Sequence, residues 1–201
     1  MAKKHGSKTM KMPLAGKAIQ FKVSLGYIRP PIWRRVVVPD NFTLGQLHNV
    51  IQVSMGWQDC HLHSFQFGDV RYASQETSEM GEMDMENEET VLLHRIITRP
   101  KQKFTYEYDF GDSWLHELVV EKILPFDPQA KYPVCLGGAR ACPPEDCGSF
   151  PGYMSILEAV KAAKKTGEQK ELLEWLGDGY EPERFDLDQV NRRLVGDAMI
   201  P

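Results

Sequence analysis

Hydrophobic and polar positions follow two different periods along this chain, and the switches between them mark out its elements. In "AIQFKVSLGYI", Ile19, Phe21, Val23 and Leu25 alternate with their neighbours, the period of a strand with one buried face. "RPPIWRRVVVP" predicts a second strand, β-branched between the Pro30–Pro31 pair and Pro39. The period then changes. Thr43 is placed to cap a helix in which Leu44, Leu47, His48, Ile51 and Met55 share one face, and Gly56 supplies a left-handed stop. "HLHSFQFGDVRYA" returns to strand, with a turn at Gly68–Asp69. "TVLLHRII" is a short apolar element that periodicity assigns to neither strand nor helix.

"KFTYEYDF" and "WLHELVVEKIL" predict a second hairpin, whereas "KYPVCLGGARACPPEDCGSFPGY" holds so much Gly and Pro that a long loop is expected. Helices are expected in "YMSILEAVKAAKK", stopping near Gly167, and in "EQKELLEWL", stopping at Gly177. In "FDLDQVNRRL", Asp186 and Gln189 occupy capping-box positions, and Phe185 and Val190 staple positions. The succession predicts an α+β fold: a mainly antiparallel sheet of hairpins, one early helix and a C-terminal helical segment.

Composition refines the boundaries. Residues 1–16 are lysine-rich without apolar periodicity, a flexible basic tail ahead of a single domain over residues 17–201. Between Tyr72 and His94 there is no lysine or arginine, while Glu76, Glu79, Glu82, Asp84, Glu86, Glu88 and Glu89 alternate with Met80, Met83 and Met85. Such a run repels itself, so residues 74–89 are expected to be a mobile, solvated excursion, with a lid over a site as the functional alternative. No apolar stretch approaches the roughly 20 residues of a membrane span, and the N-terminus lacks a signal-peptide core. A cytoplasmic protein with no membrane partner is expected. Cys60, Cys135, Cys142 and Cys147 are then thiols or metal ligands. The net charge of -4 argues against a nucleic-acid partner and leaves a protein partner open.

Candidate chemistry concentrates in "YDFGDSWLHE". A two-residue loop at Gly111–Asp112, or one two residues longer, puts Glu107, Asp109, Trp114 and His116 on one side of the hairpin, whereas an odd loop with a bulge would break that parity. Asp109 with His116 is the minimum for a catalytic general-base pair, and Asp112 and Trp114 are candidate ligand-binding neighbours. "HLH" places His61 and His63 on one side of a strand, where with His116 they are candidate ligands for a divalent metal such as zinc. "CPPEDC" adds Glu145 and Asp146 on a proline-stiffened loop. Its cysteine spacing is not that of a zinc knuckle. Against these stand plainer readings: a cross-strand ion pair worth about 0.2–1 kcal/mol, histidines at a core rim, and buried structural cysteines. His48 is read as a core histidine, and Trp33, Trp57 and Trp175 as core or rim residues.

Taken in order, "PPIWRRVVVP", "MGWQDCHLHSFQF", "YEYDFGDSWLHE", "CPPEDCGSFPGY" and "WLGDGYEPERFD" resemble the plasmid pRiA4b ORF-3-like family over about residues 17–195. The resemblance implies an α+β domain associated with plasmids and insertion elements, without assigned catalytic residues. Some relatives are likened to a transposon resolvase, but no nucleophilic-serine recombinase motif accompanies the resemblance here. Two readings follow. One is a pocket of His61, His63, Asp109, Asp112, His116, Glu145 and Asp146 that binds a divalent metal or small polar ligand, with hydrolysis as its enzymatic form. The other is a non-enzymatic adaptor for protein or nucleic acid, supported by Lys3, Lys4, Lys8, Lys11, Arg34 and Arg35.

Overall fold

The computed structural model describes residues 15–80 and 84–196. Eight strands form one sheet: β1 (Lys17–Leu25), β2 (Trp33–Pro39), β3 (His63–Phe67), β4 (Val70–Ala73), β5 (Glu86–Asn87), β6 (Lys103–Tyr108), β7 (Trp114–Pro125) and β8 (Val134–Ala139). Their order across the sheet is β5-β4-β3-β6-β7-β1-β2-β8. Every neighbouring pair is antiparallel except β4 with β5. The fold is α+β, and the hairpins expected from the sequence build its sheet.

Strand alternation decides which face carries the core. Phe21 lies opposite Val36 and Val120, and Phe65 opposite Tyr106, which in turn opposes His116. These residues share one face and are buried. Helix α1 (Leu44–Met55) supports that core. Its Thr43 side chain accepts from the Gln46 N–H, and the Gln46 side chain returns to the Thr43 backbone, completing a capping box. Gly56, at φ 104°, ends the helix in the left-handed conformation that suits glycine. Buried Arg34 reaches the same end, its guanidinium donating to the carbonyls of Ser54 at 2.6 Å and Arg140 at 2.9 Å. Arg35 lies on the other sheet face, paired with Glu121 at 2.6 Å. The two arginines thus form no shared basic patch. The lysines at 3, 4, 8 and 11 lie outside the described residues.

Several expectations change. The glycine- and proline-rich segment is not all loop, because β8 adds to β2. The exposed edge of β8 is occupied by the Asn191 amide, which accepts from the Cys135 N–H at 2.8 Å and donates to its carbonyl at 3.0 Å. A side chain here substitutes for a neighbouring strand. The following helix, α4 (Ser149–Lys161), begins ahead of its expected start at Tyr153. The acidic run, finally, is no single solvated excursion. It forms α2 (Gln75–Met80), β5 and a 3-10 turn over Glu88–Thr90, with Thr77 and Glu88 buried; residues 81–83 lie outside the description. Beyond it, "TVLLHRII" resolves as the short helix α3 (Leu93–Ile96). The chain closes with α5 (Gly167–Leu176) and α6 (Leu187–Gly196), where Asp186 accepts from the Gln189 N–H as expected.

The β6–β7 hairpin closes with Tyr108 opposite Trp114, leaving residues 109–113, an odd number, in the loop. The expected even-loop parity therefore fails. Glu107 opposes Leu115, His116 opposes Tyr106, and Asp109 has left the strand. This register determines what Asp109 can reach.

Candidate functional site

Three chain segments meet at one end of the sheet: the approach to β3, the β6–β7 loop, and the loop between β8 and α4. From the second comes Asp109, in the left-handed region at φ 56°, which Asp tolerates better than most residues. Its Oδ1 accepts the backbone N–H groups of Gly111 at 2.9 Å and Asp112 at 3.3 Å. This turn holds one carboxylate oxygen and leaves Oδ2 directed away, 3.8 Å from His61 Nε2.

Glu145, from the third segment, repeats the arrangement. Its Oε1 accepts from the Gln58 N–H at 2.9 Å and from the Tyr108 hydroxyl at 3.1 Å. Burial pushes the Tyr108 phenol well above its ordinary value, so it stays a donor. The other oxygen, Oε2, lies 3.8 Å from His61 Nε2. Asp146, also left-handed at φ 54°, brings Oδ1 to 3.2 Å from that same nitrogen.

Three carboxylate oxygens therefore surround one imidazole nitrogen. His61 Nε2 and Glu145 Oε2 are buried, yet neither makes a hydrogen bond. Buried polar atoms in folded proteins are almost always partnered, so two orphans facing each other need a cause. The oxygens lie beside the nitrogen as ligands lie beside one another around a common centre. Ligands 2.0–2.1 Å from a tetrahedral ion stand about 3.3 Å apart; Asp146 Oδ1 lies 3.2 Å from His61 Nε2, and the Asp109 and Glu145 oxygens stand further off, at 3.8 Å. Charge points the same way. An imidazole that ligates a metal is neutral, which leaves the three carboxylates beside it for a cation to compensate. Cys60 Sγ lies within 4.8 Å of ligand atoms of His61 and Glu145.

The remaining sequence candidates fall elsewhere. His63 Nε2 faces Glu88, at 2.9 and 3.0 Å from its two oxygens, and its ring stacks on His48 with centroids 3.5 Å apart and planes 9° apart. His48 Nε2 meets Asp59 Oδ1 at 2.8 Å, and its Nδ1 meets the Tyr106 hydroxyl at 2.8 Å. Burial pushes the His48 imidazole below its ordinary value, and the bond to His48 holds Asp59 below its own. His61 and His63 thus diverge, because β3 begins at His63 and His61 lies ahead of it, outside the strand alternation expected to align them.

His116 is fully buried beneath the Trp57 ring and bonded to the Tyr106 carbonyl at 3.2 Å. Burial pushes its imidazole down to about 4, so it is neutral at neutral pH. It touches neither Asp109 nor the histidine pair through any hydrogen bond. Trp114 packs edge-on against Tyr153 in the core. Asp112 ties the loop to α4, with its carboxylate accepting from the Gly148 N–H at 3.2 Å and its carbonyl from the Ser149 hydroxyl at 2.8 Å. Of the candidates, His61, Asp109, Glu145 and Asp146 converge; His63, His116, Asp112 and Trp114 do not. The sequence named Cys60 only as one of four thiols or metal ligands and did not place it at the site, and Tyr108 was not nominated at all.

His48, Asp59, Cys60, His61, His63, Glu88 and Glu89 line a cleft of about 500 Å³. Through His61, the candidate site adjoins a space large enough for a small ligand.

Among known proteins, the family model of plasmid pRiA4b ORF-3-like proteins matches residues 17–189. An uncharacterized protein, y4hQ, from Sinorhizobium fredii (strain NBRC 101917 / NGR234) is 33% identical over 182 residues, covering 90% of this chain and 92% of that protein. The crystal structure of a protein of unknown function, MM3350, from Methanosarcina mazei Go1 is also similar. It has a TM-score of 0.79 and 34% identity, covering 89% of this chain and 99% of that one. Neither description carries an activity.

Proposed function

The chain belongs to the plasmid pRiA4b ORF-3-like family, and we propose that it is a divalent-metal-binding domain centred on His61, Asp109, Glu145 and Asp146. The observation that carries this reading is the pair of buried, unbonded atoms, His61 Nε2 and Glu145 Oε2, flanked by two more carboxylate oxygens. One nitrogen and three oxygens suit a first-row ion, zinc through the imidazole or manganese through the carboxylates. The outer contacts are already in place. Tyr108, the Gln58 N–H and the turn at Asp109 each hold a carboxylate oxygen that a metal would leave over.

Hydrolysis is the reaction such a centre supports, because a bound cation lowers the pKa of its water. The adjoining cleft favours this extension, since it brings His48 and Asp59 to the same space as His61. The adaptor reading has less support: Arg34 is buried and Arg35 is paired.

Calorimetric titration with zinc and manganese tests the proposal. The expected result is one ion per chain, abolished in His61→Ala. In Asp109→Asn, binding should weaken by at least the about 10–100-fold typical of lost supporting contacts, with the fold intact. Saturating metal at 100 times Kd should stabilise the protein by about 2.7 kcal/mol. Binding left unchanged by both substitutions would refute the site.

A further inference from the structure

Resting on that reading, we propose that Cys60 is a further ligand of the same centre and makes it selective for a thiophilic ion, zinc, over magnesium and manganese. Two overlapping ligand groups share His61: one with Asp109 and Asp146, the other with Cys60 and Glu145. In the second, Sγ, the imidazole nitrogen and a carboxylate oxygen all lie within 4.8 Å of one another. The residues that carry the buried unbonded atoms, His61 and Glu145, both belong to this group, so the thiol lies beside the two residues whose polar atoms lack partners.

Tyr108 fixes the arrangement. Its hydroxyl accepts from the Cys60 N–H at 3.1 Å and donates to Glu145 Oε1 at 3.1 Å, holding the cysteine backbone and the carboxylate at one point. The thiol itself has only a long contact, 3.7 Å, to that hydroxyl. It is therefore not committed to another strong partner.

Cys60 is also chemically separate from the other cysteines. It is exposed, whereas Cys135, Cys142 and Cys147 are buried. As the metal–sulfur bond forms, the thiol proton leaves to solvent and no redox change is required. A thiolate donor favours zinc, while magnesium and manganese prefer oxygen. Asp109 and Asp146 alone would not discriminate in this way.

Two readouts on the full-length protein test this. Cobalt(II), standing in for zinc, should give a near-ultraviolet sulfur-to-metal charge-transfer band in the wild type. That band should vanish in Cys60→Ser, while His61→Ala should take up no cobalt. Alkylation with iodoacetamide, followed by mass spectrometry, should modify Cys60 in the metal-free protein. Zinc should protect that thiol, and magnesium or manganese should not. Zinc affinity of Cys60→Ser should fall about 10–100-fold, with manganese affinity unchanged. Cobalt bound without the charge-transfer band, or zinc bound without protection of Cys60, would overturn the thiol role and leave the carboxylate–imidazole site standing. Failure of the wild type to bind any of these ions would overturn both.

Discussion

Two histidine clusters sit side by side in this molecule, built from the same residue types and differing in what their polar atoms have found. Around His48 and His63 every ring nitrogen with a recorded contact meets a partner: Asp59, Glu88 or Tyr106. Gln52 donates to the Tyr106 hydroxyl at 2.8 Å, which leaves that hydroxyl's own proton for His48 Nδ1. His48 is then neutral and donates from Nε2 to Asp59. Around His61, by contrast, two buried atoms have no hydrogen bond.

Geometry separates the clusters as well. An imidazole binds a metal in its own ring plane. The His48 and His63 planes are nearly parallel, with centroids 3.5 Å apart, and so share no point where one ion could satisfy both. Residue types at metal-ligand spacing are thus a poor guide by themselves. Unmet hydrogen-bonding capacity marks a site only where other ligand atoms converge on it, since buried His116 Nε2 and Trp114 Nε1 are unbonded as well.

The largest test of this contrast is Glu88→Ala. Removing the buried carboxylate that both His63 contacts reach leaves a buried ring nitrogen unpartnered, at a cost of about 3 kcal/mol, equivalent to roughly 10 °C in Tm for a chain of this length. Zinc affinity of the protein that remains folded should stay within about twofold. Thermal melts and titrations on one preparation separate the outcomes. A variant that kept its Tm and lost zinc would merge the two clusters into one site.

His116 offers a second test, because it is a buried imidazole with no carboxylate partner. Its pKa is lowered to about 4 by burial, against about 6.5 in an unfolded chain. A depressed value means that protonation favours the unfolded state. Stability from this group is complete above about pH 6.5 and is lost as pH falls toward 4, amounting to about 3 kcal/mol. Denaturant unfolding at intervals from pH 7 to 4 should show the decline, and His116→Leu should flatten that part of it. An equal slope in both proteins would show that His116 is not its source.

Much of the fold was legible because local chemistry and global packing agree. The Thr43–Gln46 capping box, the left-handed Gly56 and the alternation in β1 each act within a few residues, where a sequence can be read directly. What could not be read was register. One residue in the length of the β6–β7 loop decides whether Asp109 pairs with His116 or leaves the strand for His61. Likewise, nothing local tells Glu88, in a run of exposed acids, that it will lie buried against His63. Strand β8 was hidden in a glycine-rich stretch because its pairing depends on distant β2 and on the Asn191 side chain. The convergence of Glu145 and Asp146 on His61 was only partly visible: the residues could be nominated, but not their shared vertex.

The smallest predicted effect concerns how the loop carrying Glu145 and Asp146 is held. Helix α4 starts directly after this loop, and the Gly152 N–H returns to the Gly148 carbonyl at 3.0 Å. A Cβ at position 152 would run into the Cys147 carbonyl oxygen, a backbone atom that cannot swing aside. Gly152→Ala must therefore move the loop end next to the two carboxylates, although residue 152 itself touches no proposed ligand. Alanine is the better helix former by about 1 kcal/mol, so the gain in helix propensity and the steric clash oppose each other in stability. In metal binding they do not, since only the displacement matters there. The expected result is a Tm shift of a few degrees in either direction with zinc affinity down about tenfold, comparable to the loss of one supporting contact. His48→Gln, which disturbs the satisfied cluster, should show the reverse pattern: a lower Tm and near-normal zinc affinity. Gly152→Ala with wild-type affinity would mean that the loop's position is not what brings Glu145 and Asp146 to His61.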